Sequence, residues 1–125
     1  MFTTGEDLTQ NKSMSDPYSL FCYFIRHDLT RKYYERKLKK FFDYIKLGIN
    51  DEMDRRFKTF AENSSSNRDW ALSKILSFLQ FEKNRVNAGE ITAVTLKNFL
   101  KAIKLLLKPI RLEIIETSIL SLITI

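Results

Sequence analysis

Lys97, Lys101, Lys104 and Lys108 stand at i, i+4, i+7 and i+11, and Lys32, Arg36 and Lys39 stand at i, i+4 and i+7. Spacings of three and four bring side chains onto one face of a helix, so each set forms a row of cations. No Asp or Glu lies three or four residues from any member of the first row. Like charges placed this way repel by about 0.2–0.5 kcal/mol per pair, and a polyanion that neutralises them relieves the repulsion. The chemistry these residue types suit is phosphate binding. A lysine row is ordinarily just solvated helix surface. Two rows in one short chain, with the acids placed elsewhere, favour the phosphate reading.

Other chemistry lacks its parts. His27 is the only histidine, so neither a Ser/His/Asp triad elsewhere nor a multi-histidine metal site can be assembled. Gly5, Gly48 and Gly89 are isolated, and none begins a phosphate-cradling loop. The carboxylates are scattered, with no pair spaced for acid/base work. Cys22 has no second cysteine with which to form a disulfide or bind zinc, and it reads as a small buried side chain in a reducing compartment. The expectation is a protein that is not an enzyme, with no cofactor, metal or small-molecule substrate.

The elements that carry the rows follow from composition and periodicity. The chain has 125 residues, 44% of them hydrophobic, with ten Phe and five Tyr, enough for one packed domain. Three Gly and two Pro are too few for a many-stranded sheet protein, so the fold class expected is all-α. The formal net charge is +6. Residues 26–40 carry seven Lys or Arg against Asp28 and Glu35, and residues 91–108 carry four Lys and no acid; together they hold +9, leaving the rest slightly acidic.

Residues 1–17 read as a flexible leader without a secretory signal, which points to the cytoplasm. A helix is predicted from an N-cap at Thr30 to about Lys46, stopped by Gly48 and Asn50. It buries Tyr34, Leu38, Phe41, Phe42 and Ile45 and presents Lys32, Arg36 and Lys39 on the opposite face. A short helix over 50–62 and a polar loop at 63–67 come next. The following helix, capped by Ser66 or Asn67, runs to about Asn87, with Leu72, Ile75, Leu76, Leu79 and Val86 on one face and Trp70 and Phe81 on the other. Gly89 ends it. Thr92 caps a last helix that buries Leu96, Phe99, Leu100, Ile103 and Leu107, with Ile91 placed as a staple against Leu96. Residues 109–125 form an atypical Ile/Leu-rich tail. Its apolar run 117–125 is too short for a membrane span.

The stretch from Leu29 through Ile45 contains Thr30, Tyr34, Leu38 and Phe41 as T-x-x-x-Y-x-x-x-L-x-x-F. The later stretch from Ile91 closes on Leu100, Ala102, Ile103 and Lys104 as L-x-A-I-K. In order and spacing these resemble the N-terminal core-binding domain of tyrosine recombinases of the archaeal phage-integrase type, over about residues 16–105. The resemblance implies a SAM-like bundle of four to five helices over 18–108 that clasps double-stranded DNA through backbone phosphates. Lys32, Arg36, Lys39, Lys97, Lys101 and Lys104 are the candidate DNA contacts, and full-length recombinases are possible partners. In that family a separate C-terminal domain supplies the catalytic Arg, His and Tyr. Tyr33, Tyr34 and Tyr44 lie in the binding-domain helix and match no nucleophile, and His27 with Arg31 does not match the family's His-x-x-Arg box. The Ile-rich ending in place of that domain reads as the product of a frameshift or truncation, an integrase remnant active in DNA binding or inert. The alternative is a helical module docking on a protein or membrane surface.

Overall fold

The computed structural model describes residues 16–110, an all-α bundle of five helices. The helices are α1 (Pro17–Phe24), α2 (Asp28–Tyr44), α3 (Met53–Ser66), α4 (Arg68–Asn87) and α5 (Ala93–Leu107), followed by a 3-10 turn (Lys108–Ile110). Residues 1–15 of the expected leader and 111–125 of the expected Ile/Leu-rich tail lie outside the described residues. Pro17 opens α1 at its first turn, and Asp16 caps it by accepting from the Ser19 amide and hydroxyl, each at 3.0 Å. Asp16 and Pro17, read from the sequence as the end of the leader, are thus the cap and first residue of α1. The fold also takes in Pro109 and Ile110 from the segment expected to be tail.

Three other boundaries differ from expectation. Thr30 lies inside α2, which starts from an extended His27 whose side chain makes no capping bond. The end of α2 is set by Lys46, not Gly48: Lys46 adopts φ 57°, its amide donates to Asp43, and the Leu47 amide donates to Phe42. This is the Schellman closure normally given to glycine. Gly48, at φ 59°, serves the next turn, where a Cβ would meet Asp51 Oδ2 at 2.8 Å. The expected polar loop at 63–67 is instead the last turn of α3, because burial of Phe60 and Ser64 holds this segment helical against serine's weak propensity. Asn67 alone separates α3 from α4 and caps α4 by accepting from the Trp70 amide at 3.1 Å.

The remaining punctuation is as expected. Gly89 (φ 78°) closes α4 by the same Schellman pattern, through Gly89 to Val86 and Glu90 to Arg85. Thr92 caps α5 by accepting from the Thr95 amide at 3.2 Å.

Aromatic rings hold the bundle together. Phe21, Phe41, Phe42, Phe57, Phe60, Phe78 and Phe99 are all buried. They form a connected chain across every helix: Phe21 of α1 meets Phe57 of α3 at 5.0 Å, Phe57 meets Phe42 of α2 at 5.7 Å, Phe41 meets Phe78 of α4 at 5.3 Å, and Phe78 meets Phe99 of α5 at 5.2 Å. Tilted and edge-on pairs at these separations add about 0.5–1.5 kcal/mol each beyond the area they bury.

α4 is contacted from both sides. Ala71, Ile75, Phe78 and Leu79 face the core, while Trp70 packs on Phe60 at 5.7 Å and Phe81 on Tyr44 at 5.2 Å. Phe78 and Ala71 belong to the inward face and were not on the expected list, and Leu72 and Leu76 are only partly buried.

Candidate nucleic-acid interface

Both cationic rows lie on helices whose opposite faces are anchored in the core. Leu38, Phe41 and Phe42 bury one side of α2, leaving Lys32, Arg36 and Lys39 exposed on the other. On α5, burial of Phe99, Ala102, Ile103, Leu106 and Leu107 turns Lys97 and Lys101 to solvent, with Lys104 half-buried beside them and Lys108 exposed at the C-cap. Leu96 and Leu100, expected in the buried stripe, are partly covered; Ala102 and Leu106 take the central positions.

α2 and α5 pack against each other, and the contacts across their seam decide how the rows relate. Asn98 Nδ2 donates to the Tyr33 hydroxyl oxygen at 2.8 Å. The Lys37 ammonium lies 5.2 Å from the Tyr33 ring centre and 4.3 Å from that of Phe99, and Lys40 lies 6.0 Å from Phe99. At about 100° per residue, Tyr33, Lys37 and Lys40 sit on α2 between the Lys32 row and the core. Asn98 sits in the corresponding place on α5. The seam thus runs between the two rows, and Lys37 and Lys40 add cations along it. Sequence reasoning missed both, because their placement depends on a ring 62 and 59 residues away. The only sequence signal was the excess of basic residues in 26–40.

The acids of α2 are taken up by the fold. Asp28 pairs with Arg31 at 3.0 Å, and Glu35 accepts from the Tyr18 hydroxyl at 2.6 Å and lies 3.9 Å from Arg31. Burial, then the bond to Glu35, pushes the Tyr18 hydroxyl pKa well above its ordinary value. Asp43 receives Arg56 Nη2 at 2.7 Å and Lys39 Nζ at 3.0 Å. Partial burial raises the Asp43 carboxyl, but the Arg56 and Lys39 hydrogen bonds outweigh it, so it titrates below the usual carboxylate range.

Lys39 is thereby the one member of its row tied to an acid. Lys32, Arg36, Lys97 and Lys101 make no ion pair among the described residues. Lys32, Arg36 and Lys39, with Glu35 and Met53, line a shallow cavity of about 230 Å³. Asp16, Glu52 and Asp54 line a second hollow that shares Met53 with the first.

Among the described residues no group of His, Cys, Asp and Glu is placed to hold a metal ion, and no helix is long and apolar enough to cross a membrane. Burial raises the Cys22 thiol pKa, which disfavours the reactive thiolate. What the surface offers chemically is a set of ammonium and guanidinium groups on two adjacent helices, held from behind by a rigid aromatic core. No family model, no curated protein and no solved structure matches the chain.

Proposed function

We propose that this domain binds double-stranded DNA through its backbone phosphates, as the core-binding domain of a tyrosine recombinase does. The observation that carries the reading is the pair of cationic rows on α2 and α5 flanking one seam, while the acids of α2 are engaged by Arg31, Tyr18, Arg56 and Lys39. Lys32, Arg36, Lys39, Lys97, Lys101 and Lys104 are the phosphate contacts, with Lys37 and Lys40 between them. Phosphate contacts position a protein on the duplex and carry little sequence information, so binding through them alone is weak and salt-sensitive. The role is recognition; chemistry on the DNA belongs to residues of another domain.

Fluorescence anisotropy of a labelled duplex titrated with the chain at several salt concentrations tests this. The logarithm of the affinity should fall linearly with the logarithm of salt, with a slope approaching about −5 if all six cations engage. Absence of binding at low salt would reject the proposal.

A second reading has its own observation. Tyr23 and Leu29 are 56% and 72% exposed around the α1–α2 junction, and Lys108 lies 4.8 Å from the ring centre of the partly exposed Phe24. Exposed aromatics beside cations also suit a protein-docking module. Tyr23→Ser with Leu29→Ser would abolish such docking and leave DNA affinity unchanged.

A further inference from the structure

We infer that Asn98 and Val94 read an A·T base pair in the major groove, with Tyr33 holding the Asn98 amide in place; the inference rests on the duplex-binding reading above. Lysines on phosphates cannot distinguish one sequence from another, so any preference must come from groups that match base edges. Asn98 is such a group. It lies in the seam, half-buried, and spends one Nδ2 hydrogen on the Tyr33 hydroxyl at 2.8 Å. Its second Nδ2 hydrogen and its Oδ1 have no partner among the described residues. One donor and one acceptor on a planar amide match adenine, whose N7 accepts and whose N6 donates. The bond to Tyr33 spans α2 and α5, fixing the amide before any ligand arrives and lowering the entropy lost on binding.

Val94 stands four residues before Asn98, on the same side of α5, and is 64% exposed. A lone exposed valine needs no explanation. Here it stands one turn from an open amide edge, and its methyl groups match the C5 methyl of thymine, which the same A·T pair presents to the same groove. Lys97 follows Val94 by three residues and Lys101 follows Asn98 by three, so each base-reading side chain has a phosphate-binding neighbour. The helix that carries the readers also carries the cations that would hold it against the groove walls.

The test is selection of bound duplexes from a random-sequence pool, using the full chain and its Asn98→Ala, Tyr33→Phe and Val94→Ala variants, with circular dichroism confirming that each variant is folded. The wild type should enrich a site with A·T at a fixed position. On that site Asn98→Ala should lose about tenfold or more of the preference for A·T over G·C while keeping its affinity for unselected duplex. Tyr33→Phe should weaken the preference without changing the preferred sequence.

Val94→Ala, at an exposed position, supplies a check independent of folding. Replacing the thymine by deoxyuridine should weaken wild-type binding roughly fourfold, the worth of one buried methyl, and leave Val94→Ala unaffected. An enriched site that Asn98→Ala reads as well as the wild type would overturn the inference, as would duplex recovery with no enriched site, which leaves the phosphate reading standing. Failure to recover any duplex at low salt would overturn both.

Discussion

Arg56, with its side chain 3% exposed, donates through Nη2 to Asp43 Oδ1 at 2.7 Å and through Nε to the Leu47 carbonyl at 2.8 Å. It is the buried clamp between the end of α2 and the start of α3, and its guanidinium lies 5.5 Å from the centre of the Phe42 ring. A buried guanidinium is tolerated only when its donors are matched, and both acceptors here come from the turn that closes α2. The same Asp43 also receives Lys39, so the clamp fixes one end of the cationic row.

Replacing Arg56 by Met keeps much of the side-chain volume but leaves the Leu47 carbonyl and the Asp43 carboxylate without their main donor. The expected loss of stability is about 2–4 kcal/mol, less than for a fully buried pair because Asp43 is partly solvated. Urea unfolding monitored by circular dichroism measures it. A change under about 0.5 kcal/mol, the scale of a surface substitution, would show that the clamp carries no weight.

Asp43 makes the clamp pH-dependent, and its depressed pKa fixes the sign. A carboxyl that titrates lower in the folded than in the unfolded chain contributes stability that is complete above the unfolded value, about 4, and is lost as pH falls through the folded one. Wild-type chain should therefore be more stable than Asp43→Asn at pH 6, and the two should converge toward pH 2. Thermal midpoints of both proteins across this range decide it; a constant gap would assign the difference to shape and not to charge.

Two substitutions should stabilise the fold. Lys46 holds a left-handed conformation at φ 57°, which costs a residue with a Cβ about 1 kcal/mol that glycine avoids. The buried Ser64 hydroxyl has no hydrogen-bond partner among the described residues, and an unmet buried polar group costs about 1–3 kcal/mol. Lys46→Gly and Ser64→Ala should each gain about 1 kcal/mol, and jointly about the sum, if the sites are independent. Destabilisation by Ser64→Ala would mean that the hydroxyl has a partner after all.

Local chemistry explains which parts of the fold were legible in the sequence. Thr92, Asn67 and Gly89 act as the punctuation their types predict, because a cap or a left-handed terminus depends on one residue and its immediate neighbours. Spacing gives the inward side of α2 and α5 only in part: Leu38, Phe41, Phe42, Phe99, Ile103 and Leu107 are buried as expected, Tyr34, Ile45, Leu96 and Leu100 are only partly covered, and Ala102 and Leu106 join the core unexpected. Thr30 misled because the helix already starts at Asp28, from an extended His27 that lacks a capping side-chain bond, and the Ser64 to Ser66 run misled because packing of Phe60 and Ser64 extends α3 through it. Phe78 went unassigned because α4 is apolar on more than one side. The cations of the candidate interface were legible as rows; what joins the rows was not, since the Asn98 to Tyr33 bond closes across 65 residues and Lys37 and Lys40 are placed by Phe99.

The interface itself is tested most directly by reversing charge where no ion pair complicates the result. Lys97 and Lys101 are exposed on α5 and make no ion pair among the described residues, so Lys97→Glu with Lys101→Glu should leave the thermal midpoint nearly unchanged. If both ammonium groups neutralise phosphates, the variant should bind duplex at least about tenfold more weakly at low salt, with a salt slope shallower by about two, and the loss should be similar on every sequence. Lys39→Ala should cost less than Lys32→Ala, because Asp43 already offsets part of the Lys39 charge and stays paired with Arg56 when Lys39 is removed. A charge-reversed variant that retained full duplex affinity would make the α5 row ordinary solvated surface and leave the exposed aromatics at the α1–α2 junction as the better candidate for recognition.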